Sequence, residues 1–177
     1  MKQEIILAGF GGQGVIKAGV LLAYAAMKEN KRCTHFPSYG AEMRGGTANC
    51  SVIISDLLIS SPVIGEADTV IAMNEPSLIK FEPRLKKGGL LIYNSSIIAS
   101  KPKRSDIELL AVPANEIAES VGSAKSANMV VVGAYIAKTK IVSPESVKLS
   151  IPIVFPGKEA FLTINISAVD KGMAVVK

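Results

Sequence analysis

A single α/β domain over residues 1–177, with a mostly parallel sheet flanked by helices, is the fold class this sequence predicts. Three observations predict it. Short apolar runs alternate with segments of helical spacing, the pattern of strand–helix–strand units. The first apolar run ends in a glycine-rich turn that opens directly onto a helical segment. The hydrophobic share, 49% of 177 residues, is mainly Ile, Val, Leu and Ala with no Trp, the composition of strands buried on both faces. The pattern leaves room for one antiparallel strand.

Residues 2–8 read as the first strand, interrupted by Gly9. Residues 15–30 read as a helix: Val15, Ala18, Leu22, Ala25 and Ala26 recur near helical spacing, and Lys28 and Lys31 put positive charge at the C-terminal end. Residues 32–36 make a short second strand, and 37–46, with Pro, Ser, Tyr and three glycines, read as a loop. Residues 47–55 are β-rich, and 68–73 form a buried strand. The segment 74–85 is helical but broken: Pro76 suits a first turn, whereas Pro83 does not suit an interior, so two short pieces are expected. Lys87-Gly88-Gly89 break the chain before a strand at 90–93, and a further strand spans 108–112. A short helix follows at 116–121. The helix at 127–138 is apolar nearly all round, which implies full burial in a core or at a subunit contact. Ser143-Pro144-Glu145 has the form of an N-cap, a first-position proline and an acidic first turn. The tail, 155–177, is ambiguous: Ile164 and Ile166 favour strand, while Ala168, Met173 and Ala174 allow helix.

Composition excludes several functions. The two cysteines, Cys33 and Cys50, have no CxxC partner, and the single His35 completes no recognised metal spacing with them. They read as reduced thiols, and the chain alone cannot hold an iron–sulfur cluster, which needs about four thiolates. No apolar run is long enough for a signal peptide or a membrane span, so a soluble, cytoplasmic protein is expected, with no membrane role. The formal net charge is +5, with small basic groups at Lys28, Lys31 and Arg32, at Lys86 and Lys87, and at Lys101, Lys103 and Arg104. These are solvated helix ends and loops, or they attract an acidic partner or polyanionic ligand. Nucleic acid is not an expected partner, because no aromatic residues interleave the basic groups and no recognition motif is present. No residue reads as a nucleophile or general base, and His35 reads as a packed strand-end histidine.

Gly9-Phe10-Gly11-Gly12-Gln13-Gly14 matches G-x-G-x-x-G after a strand and at the mouth of a helix, the context that motif requires. It marks the domain as Rossmann-like. Glycines allow the tight turn, and the helix N-terminus offers free N–H groups and a positive dipole to an anion. Two details argue against the usual cofactors. The ribose-binding acid expected about 20 residues on is missing from Cys33-Thr34-His35-Phe36. Gly14 is followed by Val15-Ile16, so the P-loop Lys-Ser/Thr is missing too. The turn either packs without a ligand or binds a phosphate-bearing or other anionic group.

The stretch Pro37-Ser38-Tyr39-Gly40-Ala41-Glu42-Met43-Arg44-Gly45-Gly46-Thr47-Ala48-Asn49 is the most distinctive. By composition it is a polar loop that an internal Glu42–Arg44 pair could fix. Together with the glycine turn it closely resembles the gamma subunits of 2-oxoacid:ferredoxin (or acceptor) oxidoreductases. The resemblance continues through Ala67-Asp68-Thr69-Val70-Ile71-Ala72-Met73-Asn74, Leu85-Lys86-Lys87-Gly88-Gly89, Pro113-Ala114-Asn115-Glu116-Ile117-Ala118 and Ser126-Ala127-Asn128-Met129. It is weaker from about Ser150 onward. The form Glu42-Met43-Arg44-Gly45-Gly46-Thr47-Ala48-Asn49 looks more like the 2-oxoglutarate type than the pyruvate type.

The resemblance implies a non-catalytic gamma subunit of a complex that oxidatively decarboxylates a 2-oxoacid to acyl-CoA and reduces ferredoxin. It implies alpha and beta subunits as partners, with room for a delta subunit, and contact with ferredoxin through the complex. Thiamine diphosphate, magnesium and [4Fe-4S] clusters would belong to the other subunits, and none is expected on this chain alone. The resemblance further implies a part in docking coenzyme A. The phosphates of coenzyme A would meet the glycine-rich helix N-terminus and Arg44. Candidate ligand or interface residues are therefore Gly9, Gly11, Gly12, Gln13, Gly14, Ser38, Tyr39, Arg44 and Asn74. The competing readings are an autonomous Rossmann-like nucleotide-binding protein, a scaffold with an empty turn, and a pyruvate or branched-chain version of the same complex. Isolated, the chain has the apolar surface to self-associate.

Overall fold

A computed structural model describes residues 1–39, 46–157 and 159–176. Along the chain run β1 (Lys2–Phe10), α1 (Val15–Lys28), β2 (Arg32–Tyr39), β3 (Thr47–Ser55), β4 (Ala67–Ala72), α2 (Glu75–Phe81), β5 (Leu85–Asn94), β6 (Glu108–Val112), α3 (Ala114–Ser120), α4 (Ala127–Thr139), α5 (Pro144–Val154) and α6 (Leu162–Met173). The strands form one six-stranded sheet in the order β2-β3-β1-β4-β5-β6. β1, β4, β5 and β6 pair in parallel. β3 lies antiparallel between β1 and β2, and is the antiparallel strand the sequence left room for.

The central strands are buried on both faces. In β1, Ile5 and Leu7 face one apolar cluster with α1, α4, α5 and α6, while Ile6 and Ala8 face a second with α2. Each of these residues is at most 1% exposed, which is why β1 reads as an unbroken apolar run and not an alternating one. α4 is buried from Ala127 through Ile136, as its all-round apolarity predicts.

Several sequence boundaries are corrected. Gly9 does not interrupt β1; it pairs with Ala48 inside the ladder. Helix α1 stops at Lys28, short of Asn30, which takes φ 58. Asn30 N donates to Met27 O and Lys31 N to Ala26 O, both at 3.0 Å, the double bond of a left-handed C-terminal cap. β2 continues through Pro37 and Ser38 to Tyr39, where a loop was expected. It is an edge strand paired only with β3, so a residue without an N–H is tolerated. The glycines before residue 90 do not precede the strand but sit within β5, as a bulge between the Ala67–Leu85 and Thr69–Leu90 pairs, with Gly88 at φ 73. α3 begins two residues earlier than expected, at Ala114. The broken helix at Pro83 is as expected: α2 ends at Phe81 and a 3-10 turn covers Glu82–Arg84. The ambiguous tail is helical over Leu162–Met173, where Asn165, Ala168, Val169 and Gly172 form one buried stripe at helical spacing. A Cβ on Gly172 would lie 2.0 Å from Val130 O, and one on Gly133 2.1 Å from Val169 O, so α4 and α6 meet backbone to backbone.

Candidate functional site

The glycine turn lies where β1 hands over to α1, at the C-terminal edge of the parallel strands, where ligands bind in such sheets. Gly12 has φ 102, and Gly14, the N-cap of α1, has φ 73, a backbone region that L side chains rarely adopt. Gln13 N donates to Phe10 O at 3.1 Å and closes the turn. Gly11 N donates to Gly46 O at 2.9 Å and ties it to the β2–β3 hairpin. The two described ends of the distinctive segment are therefore paired strands: Ser38 pairs with Asn49 and Tyr39 with Ala48, and Phe10 of β1 pairs with Thr47. Arg44, and with it the Glu42–Arg44 pair, lies outside the described residues.

The side chains around the turn hold it from below. Gln13 Oε1 accepts from Phe10 N at 2.7 Å and from Asn74 Nδ2 at 3.1 Å, while Gln13 Nε2 donates to Met73 O at 3.1 Å. Asn74 Oδ1 accepts from Ser77 N at 2.9 Å and caps α2. Asn74 is only 3% exposed. The amides of Gln13 and Asn74 are thus spent on each other and on the backbone, and they lock the turn to the β4–α2 connection. A Cβ on Gly9 would fall 2.7 Å from Gln13 Oε1, so the network needs glycine there. Sequence reasoning did not single out Asn128 for this site. Its Nδ2 donates to Gly14 O at 3.1 Å, and a Cβ on Gly14 would sit 2.5 Å from that nitrogen. The available signal was one amide at the head of an otherwise apolar helix.

The N-terminus of α1 has neither a side-chain cap nor an acid in its first turn. Its first N–H groups have no partner within the helix. They open onto a groove of about 360 Å³ lined by Phe10, the turn glycines, Val15 to Lys17, and Thr47 with Ala48. The Lys17 ammonium is turned away: it donates to Val154 O at 3.1 Å and lies 5.8 Å from the Phe155 ring centre. What the groove offers to an anion is therefore backbone amides and the helix dipole, and not the Lys17 charge.

The histidine and both cysteines are packed into the structure. His35 packs against Gly19, and burial lowers its pKa against a smaller opposing contribution from the Ile16 backbone. Burial raises the Cys33 thiol and pushes Cys50 up to about 12, so neither is a ready thiolate ligand. Among the described residues no three His, Cys, Asp or Glu gather into a metal site. None of the helices described is long and apolar enough to cross a membrane. At the far end of the sheet Lys86 bridges Glu4 and Asp68, each at 2.7 Å, linking β1, β4 and β5.

Residues 4–175 match the family model described as pyruvate ferredoxin/flavodoxin oxidoreductase. The chain belongs to that family. Within it, the chain is 35% identical over 181 residues to the 2-oxoglutarate synthase subunit KorC of Methanocaldococcus jannaschii, covering 100% of this chain and 95% of that one. It is 36% identical over 170 residues to the ketoisovalerate oxidoreductase subunit VorA of Methanothermobacter marburgensis, covering 96% of this chain. The chain spans only about a third of that relative's length, 35%. In structure it resembles the gamma subunit of keto/oxoacid ferredoxin oxidoreductase from Geobacter sulfurreducens, at TM-score 0.86 and 32% identity, with 98% and 95% of the two chains covered. It also resembles 2-oxoglutarate:ferredoxin oxidoreductase from Magnetococcus marinus, solved with 2-oxoglutarate, coenzyme A and succinyl-CoA, at TM-score 0.89 and 26% identity, matching 31% of that chain. The α/β fold of this family, with its one antiparallel strand, is the fold expected from the sequence.

Proposed function

We propose that this chain, over residues 1–177, is the non-catalytic gamma subunit of a 2-oxoacid:ferredoxin oxidoreductase, with 2-oxoglutarate as the first substrate to test. The observation that carries the reading is its near end-to-end match to free-standing subunits of that kind, 95% of the KorC relative and 95% of the Geobacter gamma subunit. Its partners would be the alpha and beta subunits, and electrons would leave the complex to ferredoxin. An iron–sulfur cluster does not fit the donors described on this chain, whose two thiols are both raised in pKa by burial. Thiamine diphosphate, magnesium and the clusters are accordingly assigned to the partner subunits.

Coenzyme A fits better, because uncapped amides at the head of α1 suit a phosphate. When bound, its thiol accepts the acyl group. The chain's own part is to hold the anionic end: Gly11, Gly12 and Gly14 bring backbone close, Gly9, Gln13 and Asn74 fix the turn, and Ser38 sits on the neighbouring hairpin strand, with Tyr39 and Arg44 kept as the contacts that the sequence named. The ketoisovalerate relative favours a second reading, a branched-chain version of the same complex.

Co-purification of the tagged chain from its native host tests the reading. Thiamine-binding and cluster-binding subunits are expected with it, and assays with 2-oxoglutarate, pyruvate and ketoisovalerate then assign the substrate. The isolated chain is expected to show no 2-oxoacid-dependent dye reduction. Gly12 has open space around a would-be Cβ, so Gly12→Ala meets no internal clash, but at φ 102 the alanine is strained, and an unchanged thermal melt of the variant is the control. In the complex the variant should raise the KM for coenzyme A about tenfold, roughly 1.4 kcal/mol, and leave the KM for the 2-oxoacid unchanged.

A further inference from the structure

A parallel sheet ordinarily carries helices on both faces. In the β2-β3-β1 half of this sheet, α1 covers one face and α2 reaches β1 and β4 on the other. Over β3 on that second face, Ile53 is buried with Ile64, and Ile59 packs against that cluster. Toward the glycine turn none of the described helices covers that face. Register and side-chain alternation place Phe10, Phe36, Ser38, Thr47, Asn49 and Ser51 together on this open face. Phe36 is 53% exposed and Phe10 37%, large values for aromatic rings in ordered strands.

Among the described residues this patch carries no charge, although the chain carries +5. Aromatic residues framed by hydroxyls and amides, without charge, are the composition of the centre of a protein–protein interface and not of a nucleic-acid or lipid-headgroup site. The lengths of the relatives identify the partner. The same fold occupies 35% of the VorA relative and 31% of the Magnetococcus chain, so in those proteins it is covalently tethered to a larger body. In the KorC relative it makes up 95% of the chain, and the larger body must arrive as a separate polypeptide.

We infer that the open sheet face around Phe10 and Phe36 is the docking surface for the subunit that corresponds to the remaining length of those longer relatives. The inference rests on the subunit reading above and adds to it the surface used. Phe10 and Thr47 also line the groove at the head of α1, so a partner seated on this face would close that groove along one rim.

The test is made in the reconstituted complex, with association measured by titration of labelled chain against the partner subunits. Phe36→Asp should weaken association at least tenfold, while Leu149→Asp, at a residue 54% exposed on α5 across the sheet, should not change it. Circular dichroism and thermal melting of both variants establish that they fold. Unchanged association of folded Phe36→Asp would overturn the surface assignment while leaving the complex intact. An equal loss in Leu149→Asp would overturn it as well. If Phe36→Asp only converts a dimer of this chain to monomer in light scattering, the occupant is a second copy and the inference fails. If wild-type chain does not bind the partner subunits at all, both the inference and the subunit reading fall.

Discussion

Gly14 shows how much a single backbone position carries. It sits at φ 73 as the N-cap of α1, with the Asn128 amide where a side chain would go. A left-handed conformation costs an L residue about 1–2 kcal/mol. Gly14→Ala should therefore lower stability by at least about that much, and more through the overlap with Asn128. A double-mutant cycle in thermal or urea unfolding measures this: Gly14→Ala with Asn128→Ala should cost less than the sum of the two single changes. His35 gives a second residue-scale expectation. Its folded pKa is depressed by burial below the ordinary 6.5, so the unfolded chain takes up the proton first. Stability should fall as pH drops through that value and level off below the folded pKa. It is the only histidine, so thermal melts between about pH 7.5 and pH 5.5 isolate it, and His35→Gln should flatten the slope. The glycines of the turn were legible in the sequence because their spacing is a steric requirement. The internal engagement of Gln13 and Asn74 was not, because it depends on which strand ends lie side by side.

At the scale of elements, α4 and α6 are joined by mutual glycine contact. Gly133→Ala places a methyl 2.1 Å from Val169 O and must push the helices apart. Overpacking of this kind costs about 1–3 kcal/mol, and a guanidinium melt of the variant should show it. Helix α4 was readable because a surface apolar all round has nowhere to go but inward. Helix α6 was not, because Ile164 and Ile166 are β-branched and local preference pointed to strand, while the stripe from Asn165 to Gly172 depends on a partner helix. β2 was cut short in the sequence by Pro37 for a similar reason: only its place at the edge of the sheet makes that proline harmless.

Over the whole molecule, charge ties distant segments together. Lys86 joins Glu4 and Asp68 and so fastens three strands at the edge opposite the glycine turn. Burial opposes both ionised forms, but the pairing wins: Glu4 is held below its usual pKa and Lys86 above its own. Glu4 thus contributes stability above its unfolded pKa that is lost as pH falls through its folded one. Lys86 contributes stability below its unfolded pKa that is lost as pH rises through its folded one. Lys86→Met should lower stability by about 1 kcal/mol near neutrality, a modest figure because the site is partly solvated. It should also reduce the acid-side loss, readable in melts taken across pH. Fold class, the first strand and the turn were accessible from alternation and glycine spacing, whereas the strand order was not. The open face beside β2 was not, because a sequence records which residues are apolar but not which helices fail to cover them.

The insertion of β3 between β1 and β2 has a kinetic consequence. The β2–β3 hairpin is local and can close within microseconds, whereas its pairing with β1 spans a much longer loop. The hairpin should therefore form early and dock late, as one unit. Until it docks, the bond from Gly11 to Gly46 does not exist and the groove at the head of α1 lacks one wall. During refolding, secondary structure should return before the groove is complete, and the interval between the two would time the arrival of a single hairpin.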